Sequence, residues 1–572
     1  MEKKLVLIHH WKMLKYRIKY EVVFLLFCLY FSSQGQNKLH IISNDSLTNI
    51  FFKNISVDTT LYFIIPENEV DYSIIYQNPS DTQCLRVEQD FFYFRDCKGV
   101  KIRLRANCSD SNLQLGIRHV FSSDELKISP IFEASYRSLF ENYRQNLFCK
   151  EEVISYLIVC YEDFFHLIDN FIFFKEKEGL VVHTIMVSKN ESRDSIQEKI
   201  KRFYQSHQPT YLLLIGDDEY IPSYRLNEGL SDVPYALLEG DDDFPEMIVG
   251  RLSVGNVDDL QCQIRKLLMR DKLQFSKKAI GIASDNVSPI SEKYDWEYMR
   301  HIRTCLLNKG YSAVEELYDG SQGEADAIGN PSENDIIDLV NRGVSIINYL
   351  GFGSYDRWGT GSFTTASIEK LQNTTEYPIV ISAACLNGHF ADRECLAEKW
   401  MNTSSQEQAS GAVLSLMFSS LVEWEAATYS QQVFNALLPH TDSIVQIGVL
   451  YLQTYMEMIR FLKRSIEAKT WVLFGDPSMS VYPDNQLGFI NYCKENSITV
   501  YPNPFQTYFY IDNLQDNIKS IQLFDLRGKE IAITTTTTNK SAIISPLNLS
   551  KSIYILKVGT EKEIFYQKVI KN

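Results

Sequence analysis

The sequence predicts an α/β protein built from two consecutive parallel-sheet units, with a β-rich segment before them and a small β domain after them. Three observations carry this. From Tyr156 onward, short continuous apolar runs alternate with helical stretches, the pattern of βαβ units whose strands are covered on both faces. Before that point apolar and polar residues alternate, and after Ser497 strand-like runs return. At 572 residues, 45% apolar and 13% aromatic, the chain can build two to four cores and is not a disordered protein.

Residues 36–150 make up the first segment. Ile102, Leu104 and Ala106 alternate with Lys101, Arg103 and Arg105, "NCSDSN" predicts a turn, and Leu113, Leu115 and Ile117 alternate with Gln114, Gly116 and Arg118. The first α/β unit, 151–275, has strands predicted at 156–161, 180–187, 211–217 and 247–252, with helices near 162–178, 194–206 and 258–272. The second, 276–483, has strands at 279–284, 313–319, 345–351, 379–385 and 411–420, with helices near 294–309, 334–342, 393–402 and 444–467. A linker over 484–496 leads to the last domain, 497–572, whose threonine run at 534–538 reads as a solvated strand edge or loop.

At the amino end, Lys12, Lys15, Arg17 and Lys19 precede the apolar stretch Val22 to Phe31, followed by Ser32, Ser33, Gln34 and Gly35. The run is too short to span a bilayer and has the flanks of a secretory signal, so residues 1–35 are expected to be removed after Gly35. A lipoprotein signal acylated at Cys28 is the alternative, with bulky Phe27 before the cysteine against it, and a start at Met13 gives a more ordinary signal. The chain without residues 1–35 carries 51 basic and 70 acidic side chains, a net of −19, which argues against nucleic acid as a partner. Its ten cysteines are too sparse for a disulfide scaffold; Cys84, Cys97, Cys108 and Cys149 lie close enough in sequence to pair, with buried free thiols the alternative. No zinc-ligand spacing occurs.

The chemistry concentrates at two strand ends. In an open parallel sheet, reactive groups gather in the crevice at the carboxyl ends of the strands. The runs "IINYLGFGSYDRW" (346–358) and "PIVISAACLNGHF" (378–390) place Phe352 and Cys385 there, 33 residues apart. A cysteine after an apolar strand ordinarily packs as a small hydrophobe. The Asn387-Gly388 turn and the Gly-x-Gly-Ser loop favour an elbow that presents the thiol to a cleft.

Asn348, Tyr349, Gly351, Gly353 and Ser354, with Ala384, Cys385, Asn387 and Gly388, resemble the active-site motifs of the gingipain-type cysteine peptidases, N-Y-x-G-H-G-S and A-C-x-N-G. The resemblance covers about Glu151 to Pro483, with "LIGDDEYIP", "GDDDFPEMIVGRLS" and "WVLFGDPSM" as further landmarks, and implies a caspase-like fold with two catalytic subdomains. It implies Cys385 as nucleophile and the N–H groups of Gly353 and Cys385 as oxyanion donors. The histidine position holds Phe352. A phenyl ring has no lone pair, so it neither deprotonates Cys385 nor protonates a leaving amine, and such proton transfer contributes about 10² to 10⁴ in rate. His389, four residues after Cys385, is the candidate substitute base if a helical turn follows the elbow; its alternative is an ordinary loop histidine, and His301 and His440 have no sequence argument for them.

Trp424 resembles the tryptophan lining the primary specificity pocket, against the ordinary reading of core packing. Asp232 is a candidate for selecting a cationic side chain. Asp241, Asp242 and Asp243 are candidate ligands of a structural calcium, since hard cations take several carboxylate oxygens, or form a solvated loop; no cofactor is required. The last domain resembles the C-terminal sorting domain of type IX secretion cargo, an Ig-like sandwich, although Ser552 stands where glycine is usual. This implies export through the periplasm to the cell surface or medium, with the type IX machinery as partner. Two functions follow: a secreted peptidase acting on polypeptides, or an inactive relative whose cleft, floored by Phe352, binds peptide or adheres to a surface.

Overall fold

The computed structural model describes most of residues 40–482 and 499–571; the expected signal over 1–35 and the linker over 484–496 lie outside the described residues. The chain forms two compact units, Met1–Gly488 and Phe489–Asn572.

The first unit opens with a β sheet of β1 (His40–Ser43), β2 (Leu47–Ile64), β3 (Tyr72–Tyr76), β4 (Leu85–Phe94) and β5 (Cys97–His119), in which β2, β3 and β4 all pair with β5. The turn expected at 107–112 is absent. β5 stays extended across it, with Asn107 and Cys108 paired to Ser56 and Ile55 and Asn112 to Lys53, but the register shifts there so that residues 109–111 of β5 lie opposite Asn54 alone. Cys97 is buried and joins no disulfide. A short helix, α1 (Glu133–Leu139), follows.

The α/β body is one ten-stranded sheet. Its strands are β6 (Ser155–Tyr161), β7 (Val181–Val187), β8 (Tyr211–Ile215), β9 (Ile248–Leu252), β10 (Lys278–Ala283), β11 (Ala313–Tyr318), β12 (Ile346–Leu350), β13 (Ile379–Ala383), β14 (Leu414–Phe418) and β15 (Trp471–Phe474). Their spatial order is β11-β10-β12-β13-β14-β15-β9-β8-β6-β7. The central strands are buried along their whole length, which is why they read as unbroken apolar runs. Each predicted half is parallel within itself. β14 and β15, however, pair antiparallel, while β15 pairs parallel with β9. The two halves therefore run in opposite directions, and the carboxyl ends of β12, β13 and β14 share a sheet edge with the amino ends of β8 and β9.

Helices α2 (Asp169–Lys177), α3 (Arg193–His207), α4 (Val257–Met269), α5 (Asp295–Asn308), α6 (Glu333–Asn341), α7 (Leu396–Asn402), α8 (Trp424–Leu437), α9 (Ile447–Glu457) and α10 (Ser465–Thr470) accompany the sheet, with a π turn at Met458–Leu462. Local signals set their starts: Ser192, Asn256 and Ser332 accept the N3 amides of α3, α4 and α6. On α3, Ile196, Ile200 and Tyr204 form the buried stripe at helical spacing.

The second unit has two four-stranded sheets, β16 (Thr499–Tyr501), β17 (Phe509–Asp512), β21 (Ala542–Pro546) and β20 (Ile533–Thr537), and β19 (Glu530–Ile531), β18 (Ile518–Asp525), β22 (Ser552–Thr560) and β23 (Ile564–Lys571). Phe509, Ile511, Leu523, Ile544, Leu556 and Val558 fill its core. Most of the threonine run forms edge strand β20.

Candidate active site

The loops after β12, β13 and β14 build the site, and the motif residues hold them together. Tyr349, buried on β12, donates its hydroxyl to the Phe352 carbonyl at 2.5 Å and accepts the Gly359 N–H at 2.9 Å. Its ring stacks on Trp358 with centroids 4.6 Å apart. Trp358 Nε1 donates to Ser382 Oγ, which donates in turn to Asn387 Oδ1 at 2.8 Å. The Asn387 amide nitrogen donates to the carbonyls of Ser354 and Arg357 at 2.5 and 3.0 Å. One buried asparagine thus ties the nucleophile elbow to the loop carrying Phe352.

Two glycines and one left-handed residue make the close approach. A Cβ on Gly353 would lie 2.7 Å from Ala384 Cβ and 2.8 Å from the Cys385 carbonyl oxygen, and one on Gly388 would lie 2.8 Å from the Met417 carbonyl. Leu386 turns the elbow at φ +62°, a conformation that side chains rarely adopt. Cys385, half-buried, sits directly against Gly353. Its Sγ lies 3.6 Å from the Val422 carbonyl and receives the Val422 N–H at 3.4 Å.

Phe352 is anchored by its backbone, and its ring is 73% exposed. So exposed a side chain does not form the apolar floor that the sequence suggests. His389 lies at the elbow, but its Nδ1 is 2.8 Å from the Ser419 carbonyl and its ring meets Tyr355 edge-on at 5.2 Å. Among the described residues no histidine is hydrogen-bonded to Cys385. His301 is exposed on α5 with Nδ1 2.7 Å from Gln432 Oε1. His440 packs at Gly310, before β11, at the opposite sheet edge from Cys385.

Trp424 is the first residue of α8 and not part of a strand-to-loop transition. Its Nε1 donates to Asp295 Oδ1 at 2.8 Å, and its ring stands edge-on to Tyr298 at 5.0 Å. Asp295 is a member of the site that sequence reading missed: an acid at the first position of a helix reads as a dipole partner. It is buried, Ser284 Oγ donates to its other oxygen at 2.5 Å, and burial raises its pKa against the opposing pull of both hydrogen bonds.

The other acidic candidates sit elsewhere and are occupied. Asp232 is buried in a two-point pair with Arg251, whose Nε and Nη2 lie 2.7 Å from its two oxygens, and Ser223 Oγ donates to it as well. Asp242 accepts the N–H groups of Phe244 and Tyr93, and burial pushes its pKa up to about 6. Asp243 pairs with Lys469. Among the described residues no group of three or more His, Cys, Asp or Glu side chains is placed to hold a metal ion.

Residues 150–482 match the model of peptidase family C25, and residues 499–572 match that of the secretion system C-terminal sorting domain. The chain belongs to peptidase family C25. Gingipain R2 of Porphyromonas gingivalis is 27% identical over 372 residues, covering 61% of this chain and 49% of its own length. Lys-gingipain of the same organism is 25% identical over 285 residues, 46% of this chain and 16% of its own. The chain therefore spans about half or less of these relatives. Among solved structures, the Arg-specific cysteine proteinase gingipain R shares the fold at TM-score 0.54 and 23% identity, covering 74% of this chain and 99% of that one. The complex of the pro- and mature domains of gingipain RgpB from P. gingivalis does so at TM-score 0.53 and 24% identity, covering 73% and 100%. The chain is thus a cysteine-peptidase-family protein with a type IX sorting domain that marks it for export.

Proposed function

We propose that this chain is an exported gingipain-fold protein whose cleft receives a polypeptide, and that hydrolysis is disabled at position 352. One observation supports the reading above the rest: among the described residues the Cys385 thiol is held by the Val422 main chain alone, while the position of its proton acceptor carries a phenyl ring. His389 keeps a basic Nε2, since its Nδ1–H donates to the Ser419 carbonyl, but among the described residues no hydrogen bond joins it to Cys385. The elbow itself is complete. Gly353 and Cys385 touch, and backbone donors at such a junction stabilise an oxyanion without any side chain. A bound carbonyl is therefore polarised, and what is missing is the base that makes the thiolate and the acid that frees the amine.

The test is cleavage of a diverse fluorogenic peptide library by the native chain, Cys385→Ala and Phe352→His. A silent native chain with Cys385-dependent cleavage gained in Phe352→His supports a peptidase disarmed at one residue. Cleavage by the native chain that Cys385→Ala abolishes overturns the disarmed reading and makes this a working peptidase; His389→Ala then tests the substitute base.

A further inference from the structure

The cleft's own surroundings specify what kind of side chain it takes. Phe352 precedes Gly353, which touches Cys385, and Leu421 precedes Val422, whose N–H meets the Cys385 thiol. Strand order puts these two loops one strand to either side of β13, so their backbones flank the elbow about 10 Å apart at ordinary strand spacing. Phe352 is 73% and Leu421 60% exposed, and Val287, Ile290 and Tyr294 on the neighbouring loop after β10 are exposed as well. That loop is tied to the Leu421 side by the Trp424–Asp295 hydrogen bond. Large apolar side chains on three loops around one elbow are an unusual exposure for a soluble surface, and such patches mark binding sites.

Three of the acids that could select a cation are committed. Both oxygens of Asp295 are taken by Ser284 and Trp424, Asp232 is taken by Arg251, and Glu423 pairs with Arg464. Asp285 is exposed nearby, but a lone surface carboxylate is screened by salt. We propose that the Cys385 cleft selects polypeptide segments bearing a large apolar or aromatic side chain, gripped between Phe352 and Leu421, in contrast to the Arg and Lys in the names of its relatives. This rests on the reading that the cleft receives polypeptide.

The experiment measures fluorescence polarisation of short labelled Gly/Ser peptides with a single central Phe, Leu or Arg, using the full chain. Phe- and Leu-centred peptides are expected to bind about tenfold or more tighter than the Arg-centred one, the weight of burying one such side chain. Phe352→Ser and Leu421→Ser should each remove about tenfold from Phe-centred binding, while Phe173→Ser, an exposed phenylalanine on α2, changes nothing. Tighter binding of the Arg-centred peptide, or indifference to both cleft variants, overturns the apolar selection and leaves the polypeptide cleft standing. A folded chain that binds none of the peptides sinks both.

Discussion

At the level of single residues, Arg251 is a fully buried charge, satisfied by Asp232, Ser223 and the carbonyls of Gly216 and Ile221. Removing one partner of a buried pair leaves the other charge uncompensated, which costs about 3–5 kcal/mol. Asp232→Ala should lower the urea midpoint accordingly; were Asp232 a ligand contact, stability would move by no more than about 0.5 kcal/mol. Asn387→Ala tests the elbow. It strips the donor from two part-buried carbonyls and an acceptor from buried Ser382, so a loss of about 1–3 kcal/mol is expected, together with a changed rate of Cys385 alkylation by iodoacetamide. An unchanged alkylation rate would mean that Asn387 does not set the thiol's presentation. The motif Asn and Tyr were legible because they join loops, and that demand is independent of whether the chemistry survives. Asp295 was illegible because nothing local to it announces Trp424, 129 positions away.

Elements obey partners as well as their own sequence. The "NCSDSN" stretch has turn chemistry, yet β5 stays extended because β2 pairs along nearly all of it, and ladder pairing outweighs local preference. Helix α8 escaped notice for the opposite reason: polar residues interrupt its buried face, with Gln431 and Asn435 bonding to β12, Gln432 to α5, and Thr428 and Ser430 buried beside them. The seam between the N-terminal sheet and the body shows the same logic with charge. Arg95, at the β4–β5 turn, donates into the carbonyls of Gln208, Pro209 and Glu246. Glu246 itself is buried, receives the N–H groups of Leu238 and Glu239, and faces the charges of Asp242 and Glu239; burial above all pushes its pKa up to about 9. Because the folded pKa lies above the unfolded one, its stabilising contribution is complete below about pH 4.5 and is lost as pH rises toward about 9. Glu246→Gln should flatten that decline and gain on the order of a few kcal/mol at pH 8. Parallel stability–pH curves for the two proteins would refute the assignment.

Over the whole molecule, the sheet is less divisible than its sequence. Two consecutive α/β halves are readable from alternating apolar runs, but the short strand β15 carries no periodic signal of its own, and it decides how the halves join. β15 comes last in the body and lies in the middle of the sheet, antiparallel to β14 and parallel to β9. Its residues Trp471, Val472, Leu473 and Phe474 are buried, and Trp471 packs against Phe418, Phe434 and Tyr451. Neither half can close its sheet edge without it, so the halves should unfold together. A chain ending at Thr470 is therefore expected to lose the cooperative urea transition of the body, since it exposes two central strands and a buried tryptophan's pocket at once. A chain ending at Gly488 lacks only the second compact unit and should keep the body's midpoint unchanged. Tryptophan fluorescence and far-UV circular dichroism followed through the same titration decide the matter: two separated transitions in the intact body, or a surviving cooperative fold without β15, would mean that the halves are independent and that the strand only decorates their junction.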